Sequence, residues 1–374
     1  MTMQNKLNLI AAKAKQDARL KFTSLVHLIN VESLRQCYRE LKRNKACGID
    51  EMTVEAYGKN LEERLTLLVS NMKAGHYRPK PVRRVYIPKP GKDERRGLGI
   101  PAVEDKLVQL MLKKILESIY EADFLDCSYG FRPNRNCHQA VKALDEMVMT
   151  KPINYIVEVD IRKFFDNVQH KWLLRCLEER VEDPKIFGLI KRFLKAGVID
   201  AGQYEATEQG TPQGGVISPL LANIYLHYVL DLWFEKKVKP KSKGMMKLIR
   251  YSDDFVVCCE SESDAINFLD SLQQRLMKFG LSIAEDKTRI IKFGKRVWQL
   301  SERQEAKPKS FNFLGFTHYG AKSRRGKWIM GHKTSKENLA RKLKRSMTHE
   351  KFSMYLERYP LPEAKICYSL YQFN

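Results

Sequence analysis

Arg250-Tyr251-Ser252-Asp253-Asp254-Phe255-Val256-Val257-Cys258 sets two adjacent carboxylates between two apolar runs, Leu248–Tyr251 and Phe255–Cys259. Apolar, β-branched and aromatic residues on either side of a short polar break read as two strands joined by a tight hairpin. Ser252-Asp253-Asp254 is then its tip. Neighbouring carboxylates repel, and each raises the other's pKa, so a fold that seats them between apolar strands calls for a compensating cation. Mg²⁺ meets that need, because it prefers carboxylate oxygens and leaves positions open for substrate phosphates. An exposed Asp-Asp turn without a ligand is the alternative this segment leaves open.

A second segment bears on the choice. In Tyr155-Ile-Val-Glu-Val-Asp160-Ile-Arg-Lys-Phe-Phe165-Asp-Asn167, Tyr155, Val157, Val159 and Ile161 point one way along a strand, and Glu158 and Asp160 the other. If this strand pairs with the hairpin, Asp160, Asp253 and Asp254 converge. Three carboxylates holding two Mg²⁺ ions roughly 3.5–4 Å apart suit in-line nucleotidyl transfer. One ion lowers the pKa of an attacking 3′-hydroxyl, and the other neutralises the triphosphate and the leaving pyrophosphate.

Composition fits such a substrate. The 374 residues, 43% apolar and 10% aromatic, are enough for two or three subdomains with a sizeable core. Lys and Arg number 67 against 44 Asp and Glu, a formal charge of +23. That points to a polyanionic partner, nucleic acid first, and away from enzymes of small anions. Met1–Leu20 has no uninterrupted apolar run and carries Asp17, unlike a signal peptide. Val216–Phe234 is interrupted by Ser218, Pro219, Asn223, His227 and Asp231, unlike a membrane span. The eight cysteines form no C-x-x-C pair, so reduced, buried thiols and a cytoplasmic location are expected, with Cys258 and Cys259 as strand packing. His138, His170 and His227 are scattered and are not read as ligands.

Helical spacing marks Leu34-Cys37-Tyr38-Leu41, Leu61-Leu65-Leu68-Met72, Leu107-Met111-Ile115 and Ala265–Phe279, the last stopping at Gly280. Arg83–Ile87 reads as a strand, and Ser218-Pro219 as a helix cap and first turn. Three regions are expected: 1–155, 156–318 and 319–374. In the last, Lys322–Arg358 carries twelve Lys or Arg against three acids. There Thr334-x-x-Glu337 has capping-box form ahead of Leu339, Leu343 and Met347, which predicts a basic helix, either solvated or gripping a nucleic-acid backbone.

From Leu41 to Phe316 the chain resembles reverse transcriptases, above all the group II intron-encoded and related bacterial enzymes. The ordered blocks are Lys45-Ala-Cys-Gly-Ile-Asp50, Tyr86-Ile-Pro-Lys89-Pro, Arg96-Gly-Leu-Gly-Ile-Pro101, Ser128-Tyr-Gly-Phe-Arg-Pro-Asn-Arg135, Asp160–Phe165, Gln209-Gly-Thr-Pro-Gln-Gly-Gly-Val-Ile-Ser-Pro219, Tyr251-Ser-Asp-Asp254, Phe279-Gly-Leu-Ser-Ile-Ala-Glu-Asp-Lys287-Thr and Phe313-Leu-Gly-Phe316. The resemblance implies an α/β right hand of fingers, palm and thumb. The fingers and an N-terminal extension fall in 1–155, an antiparallel palm sheet backed by helices in 156–318, and a basic helical thumb in 319–374. It implies an RNA-directed DNA polymerase adding dNTPs to a DNA or RNA primer on an RNA template, which is an intron or another structured non-coding RNA. An RNA-binding maturase or splicing cofactor without polymerase activity is the alternative.

By the same resemblance Asp160, Asp253 and Asp254, with the Ile161 carbonyl, hold two Mg²⁺ ions, with Mn²⁺ as a substitute. Lys89, Arg96, Phe165, Gln213 and Lys287 meet the nucleotide, Phe165 as a steric gate against the ribose 2′-hydroxyl and Lys287 as a general acid. Arg132, Gly214, Gly215, Tyr251, Leu314 and Gly315 meet template or primer. Ser252 departs from the usual alanine. The short stretch after Phe316 suffices for a thumb and leaves no room for DNA-binding and endonuclease regions. A truncated maturase, or a free-standing retroelement relative serving antiviral defence, is therefore expected.

Overall fold

The computed structural model describes residues 2–88, 95–211, 214–302 and 309–346. The chain opens with four helices, Met3–Gln16 (α1), Val31–Glu40 (α2), Val54–Gly58 (α3) and Leu61–Lys73 (α4). Asn30 caps α2 in a reciprocal pair with Ser33, which satisfies donors that the first turn would otherwise leave open. The stripes read from the sequence face inward, Leu34 and Cys37 on α2 and Leu65 and Leu68 on α4. A two-stranded ribbon follows, Val82–Pro88 (β1) and Arg95–Ile100 (β2), antiparallel from Arg83↔Ile100 to Pro88↔Arg95. Val103–Tyr120 (α5) then runs through the centre of the core, with Leu107, Met111 and Ile115 completely buried. Cys137–Thr150 (α6) packs on the far side of the palm.

The palm begins at Tyr155–Asp160 (β3). Phe164–Asn167 (α7), His170–Glu178 (α8), Pro184–Leu194 (α9), Val198–Asp200 (β4), Gln203–Glu205 (β5) and Ser218–Leu226 (α10) separate it from its partners. These are Met246–Tyr251 (β6), Asp254–Cys259 (β7) and, after Glu262–Lys278 (α11), Arg289–Lys292 (β8). The sheet order is β6-β7-β3-β8, antiparallel throughout. Both faces are buried. Val157, Val159, Phe255 and Val257 enter the main core, whereas Ile156, Val256 and Cys258 enter a second one shared with α6. A sheet covered on both faces carries continuous apolar runs in place of alternation, which is why Phe255–Cys259 is apolar at every position. Cys258 and Cys259 are fully buried in it.

Two parts of the sequence reading shift. Ser218 is the first residue of α10, not its cap, and the helix continues through two wider turns, His227–Asp231 and Phe234–Val238. The basic segment after 319 does not start as a helix. Phe311–Phe313 (β9), Phe316–Lys322 (β10) and Trp328–Thr334 (β11) form a three-stranded sheet, preceded by Lys295–Glu302 (α12) and followed by Lys336–Ser346 (α13). Ser335, not Thr334, caps α13 by accepting from the Asn338 N–H. Residues 347–374, with Met347, lie outside the described residues.

The sheets cut across the three expected regions. β1 pairs with β4 in parallel, giving the order β2-β1-β4-β5, so one sheet draws on both sides of residue 155. The 318/319 boundary falls inside β10. Among the described residues no helix is long and apolar enough to cross a membrane.

Candidate active site

The carboxylates meet through strand register. Asp160, the last residue of β3, lies directly opposite Asp254, the first of β7. Tyr251 pairs with Asp254 across the hairpin, leaving a two-residue turn of Ser252 and Asp253. Ser252 takes a left-handed φ of 60°, as a tight turn of this hand requires at its first central position. Burial pushes the Asp253 carboxyl above its ordinary value, and Asp160 adds to the effect. Asp254 is exposed at the rim, yet desolvation of its carboxyl, with crowding by Asp253, Asp160 and Glu158, raises it to about 7. Such crowding is what a bound cation relieves. The bridge between Ile161 and Ile283 is closed by Ala284 N–H to the Asp160 carbonyl (2.7 Å) and Arg162 N–H to the Ser282 carbonyl (2.9 Å). Neither bond uses the Ile161 carbonyl. Carboxylate and carbonyl oxygens are the donors Mg²⁺ takes, although among the described residues no three His, Cys, Asp or Glu side chains are placed as a metal-holding group.

Lys287 reaches the same place. The turn Ala284–Lys287 holds it so that its Nζ donates to Asp160 Oδ2 at 2.7 Å. Phe165 is half-buried, edge-on to the buried Phe164 with ring centroids 5.3 Å apart. Its carbonyl accepts from the Thr211 N–H at 2.8 Å, and Gly210 N–H donates to the Val168 carbonyl. The glycine-rich loop therefore lies against the Asp160–Phe165 block. A Cβ on Gly214 would sit 2.5 Å from the Gly99 carbonyl oxygen of β2, so only glycine permits this approach of loop to ribbon. Gly215 is buried beside it. Arg96, exposed on β2, is near enough to oppose the rise of the Asp253 carboxyl. Lys89 and Gln213 lie outside the described residues. Leu314 and Gly315 form the two-residue turn between β9 and β10.

Sequence reasoning missed what holds the hairpin. Arg250 is fully buried and its guanidinium grips Asp231 through two bonds of 2.8 and 2.6 Å. The same group donates to Asn223 Oδ1, to the Ser252 carbonyl and to Ser128 Oγ. The signature Ser128–Arg135 thus belongs to the back of the turn. Tyr129 N–H donates to the Arg250 carbonyl, and a Cβ on Gly130 would lie 2.5 Å from the Ser252 nitrogen. The signal was present: Asp231 interrupts an apolar helix, and an acid there needs a buried partner.

Arg132 is a correction. It does not face outward to a template. It is buried, with donors on Glu121 and on the Leu125 and Ser128 carbonyls, and its guanidinium lies 5.2 Å from the Phe124 ring centre. All these partners are internal, so it fastens the signature loop.

A family model described as reverse transcriptase (RNA-dependent DNA polymerase) matches residues 87–318, more than half of the chain. The chain belongs to the reverse transcriptase family. Among its relatives is the group II intron-encoded protein LtrA of Lactococcus lactis subsp. cremoris, 34% identical over 301 residues, covering 77% of this chain and 49% of that protein. Protein YkfC of Escherichia coli K12 is 36% identical over 249 residues, covering 64% of each. An RNA-directed DNA polymerase from the mobile element jockey of Drosophila funebris is 26% identical over 294 residues, 71% of this chain and 32% of the relative. The chain thus spans about half the length of the Lactococcus relative.

Proposed function

We propose that this chain is an RNA-directed DNA polymerase that adds deoxynucleotides to a primer 3′ end. The observation that carries the proposal is the register of Asp160 against Asp254 beside the Asp253 turn. Asp160, Asp253 and Asp254, with the Ile161 carbonyl, would hold two Mg²⁺ ions, or Mn²⁺ in their place. Bound there, the metals supply activation of the 3′-hydroxyl and neutralisation of the triphosphate.

The remaining roles belong to the chain. Arg96, on β2, meets the triphosphate as a charge-assisted donor, and Lys89 shares that role. Lys287 Nζ, held at the Asp160 carboxylate, is the proton donor to the leaving pyrophosphate oxygen. Phe165, fixed against Phe164, presents a ring edge to the sugar and disfavours a 2′-hydroxyl. Gln213, Gly214 and Gly215 pass close to the nucleotide and template, and Tyr251, Leu314 and Gly315 line the primer side. The net charge of +23 grips the phosphates of an RNA template and its DNA or RNA primer. The natural template is an intron or another structured RNA in the cytoplasm, in a retroelement or an antiviral defence system.

Primer extension tests this. Purified protein with Mg²⁺, dNTPs and a DNA primer on RNA should extend it, and Asp253→Asn should lower the rate by about 100-fold or more. No extension by the wild type, or equal extension by the variant, overturns the proposal.

A further inference from the structure

Phe131 combines exposure with backbone strain. It is 51% exposed, among the largest exposed apolar side chains of the described residues. It also holds a left-handed φ of 56°, a conformation that costs a β-carbon-bearing residue on the order of 1–2 kcal/mol. Its neighbours do not let it relax. The Gly130 carbonyl accepts from buried Asn223 Nδ2 at 2.6 Å, and the Gly130 backbone is pressed on the Ser252 nitrogen. Arg132 on its other side is locked inside the fold. A rigid frame therefore forces an exposed ring into a strained position, and such strain concentrates where a ligand is met.

The place identifies the ligand. The Phe131 ring lies 6.3 Å from the ring of Tyr251, tilted by 45°, and Tyr251 is the cross-strand partner of Asp254. In the order β6-β7-β3-β8, Asp160 and the Phe165 block extend from β3, whereas Tyr251 and Phe131 lie on the β6 side. Tyr251 packs against the same second core as Leu314. The rings thus flank the carboxylates on the side away from the expected nucleotide contacts.

We infer that Phe131, paired with Tyr251, is a positioning residue for the terminal nucleoside of the primer, presenting an apolar ring to its sugar and base edge. This rests on the polymerase reading. Aromatic contact with a nucleotide is sequence-tolerant, as a primer site must be. The ring also carries no charge to compete with the carboxylates.

The test separates ring from backbone. Asn tolerates the left-handed conformation but has no ring, whereas Tyr keeps the ring and the strain. Phe131→Asn should keep or raise the thermal midpoint, yet weaken primer–template use, read as the primer–template concentration for half-maximal extension, by roughly tenfold. Phe131→Tyr should restore wild-type primer use. If Phe131→Asn extends primers as the wild type does, or loses primer use only together with the folded state, or if Phe131→Tyr fails to rescue, the inference is overturned. A wild type that extends nothing defeats the polymerase reading itself, so the two failures are distinguishable.

Discussion

Two hairpins of this protein each close on two central residues, and they do so by different means. Tyr251–Asp254 and Phe313–Phe316 each put a residue other than glycine in the left-handed region first, Ser252 at φ 60° and Leu314 at φ 51°. Behind the first turn is a buried ion pair, Arg250 with Asp231, whose guanidinium also holds the turn's own Ser252 carbonyl. Behind the second is a stack of rings, two imidazoles and a phenylalanine. His318 Nδ1 lies 3.1 Å from His332 Nδ1, His318 Nε2 lies 3.4 Å from the Phe313 carbonyl, and its ring stacks on Phe311 at 4.9 Å. The difference follows from what each turn presents. A turn that must hold two crowded carboxylates in place gains from a rigid donor fixed to its own Ser252 carbonyl. A turn of Leu and Gly exposes no charge and needs only shape.

The largest effect should come from uncoupling the buried pair. Asp231→Ala leaves Arg250 buried without its counter-charge and should cost about 3–5 kcal/mol in urea unfolding. The double variant Asp231→Leu with Arg250→Met should cost less than the single one, because no charge is left stranded. It should still lose polymerase activity, since the Ser252 carbonyl loses its donor. A single-variant cost near zero would mean that the pair does not hold the turn.

Next comes acid. Burial, with His332 beside it, lowers the folded-state pKa of His318 to about 4. A histidine with a depressed folded pKa binds its proton first in the unfolded chain. Stability is therefore full above about pH 6.5 and falls as pH drops towards 4, by about 1.4 kcal/mol per pH unit. Asp105 and Asp123, raised to about 6 mainly by burial, act in the opposite sense, so the difference between proteins is the clean measurement. Between pH 7 and 5 the wild type should lose about 2 kcal/mol more than His318→Phe, whose ring can keep the stack on Phe311. Equal acid limbs for the two proteins would exclude a buried neutral His318.

The two hairpins were unequally visible in the residues. Period-two alternation exposed β3, and the apolar runs exposed β6 and β7, so the meeting of Asp160 with Asp254 needed only the assumption that they pair. The bracing was hidden, because Arg250 to Asp231 and Arg132 to Glu121 are contacts between elements that no local pattern encodes. An arginine quoted inside a signature looks like a phosphate ligand until its burial is known. In the basic region the charge count drew attention away from β10 and β11, whose buried residues His318 and Met330 are spaced among lysines and glycines. The parallel pairing of β1 with β4 joins segments more than 100 residues apart and has no sequence signal of its own.

The smallest effect compares the two turns directly through one substitution. Glycine removes left-handed strain of about 1–2 kcal/mol but adds about 0.5–1 kcal/mol of unfolded-chain entropy. At Ser252, whose side chain is small, the balance should favour the fold by up to about 1 kcal/mol. Leu314 is half-buried against the second core, and losing that contact costs about 1 kcal/mol. Leu314→Gly should therefore be neutral or slightly destabilising. The two substitutions should differ by about 1 kcal/mol in urea unfolding, with Ser252→Gly the more stable change. If both shift stability by the same amount, packing does not distinguish the turns.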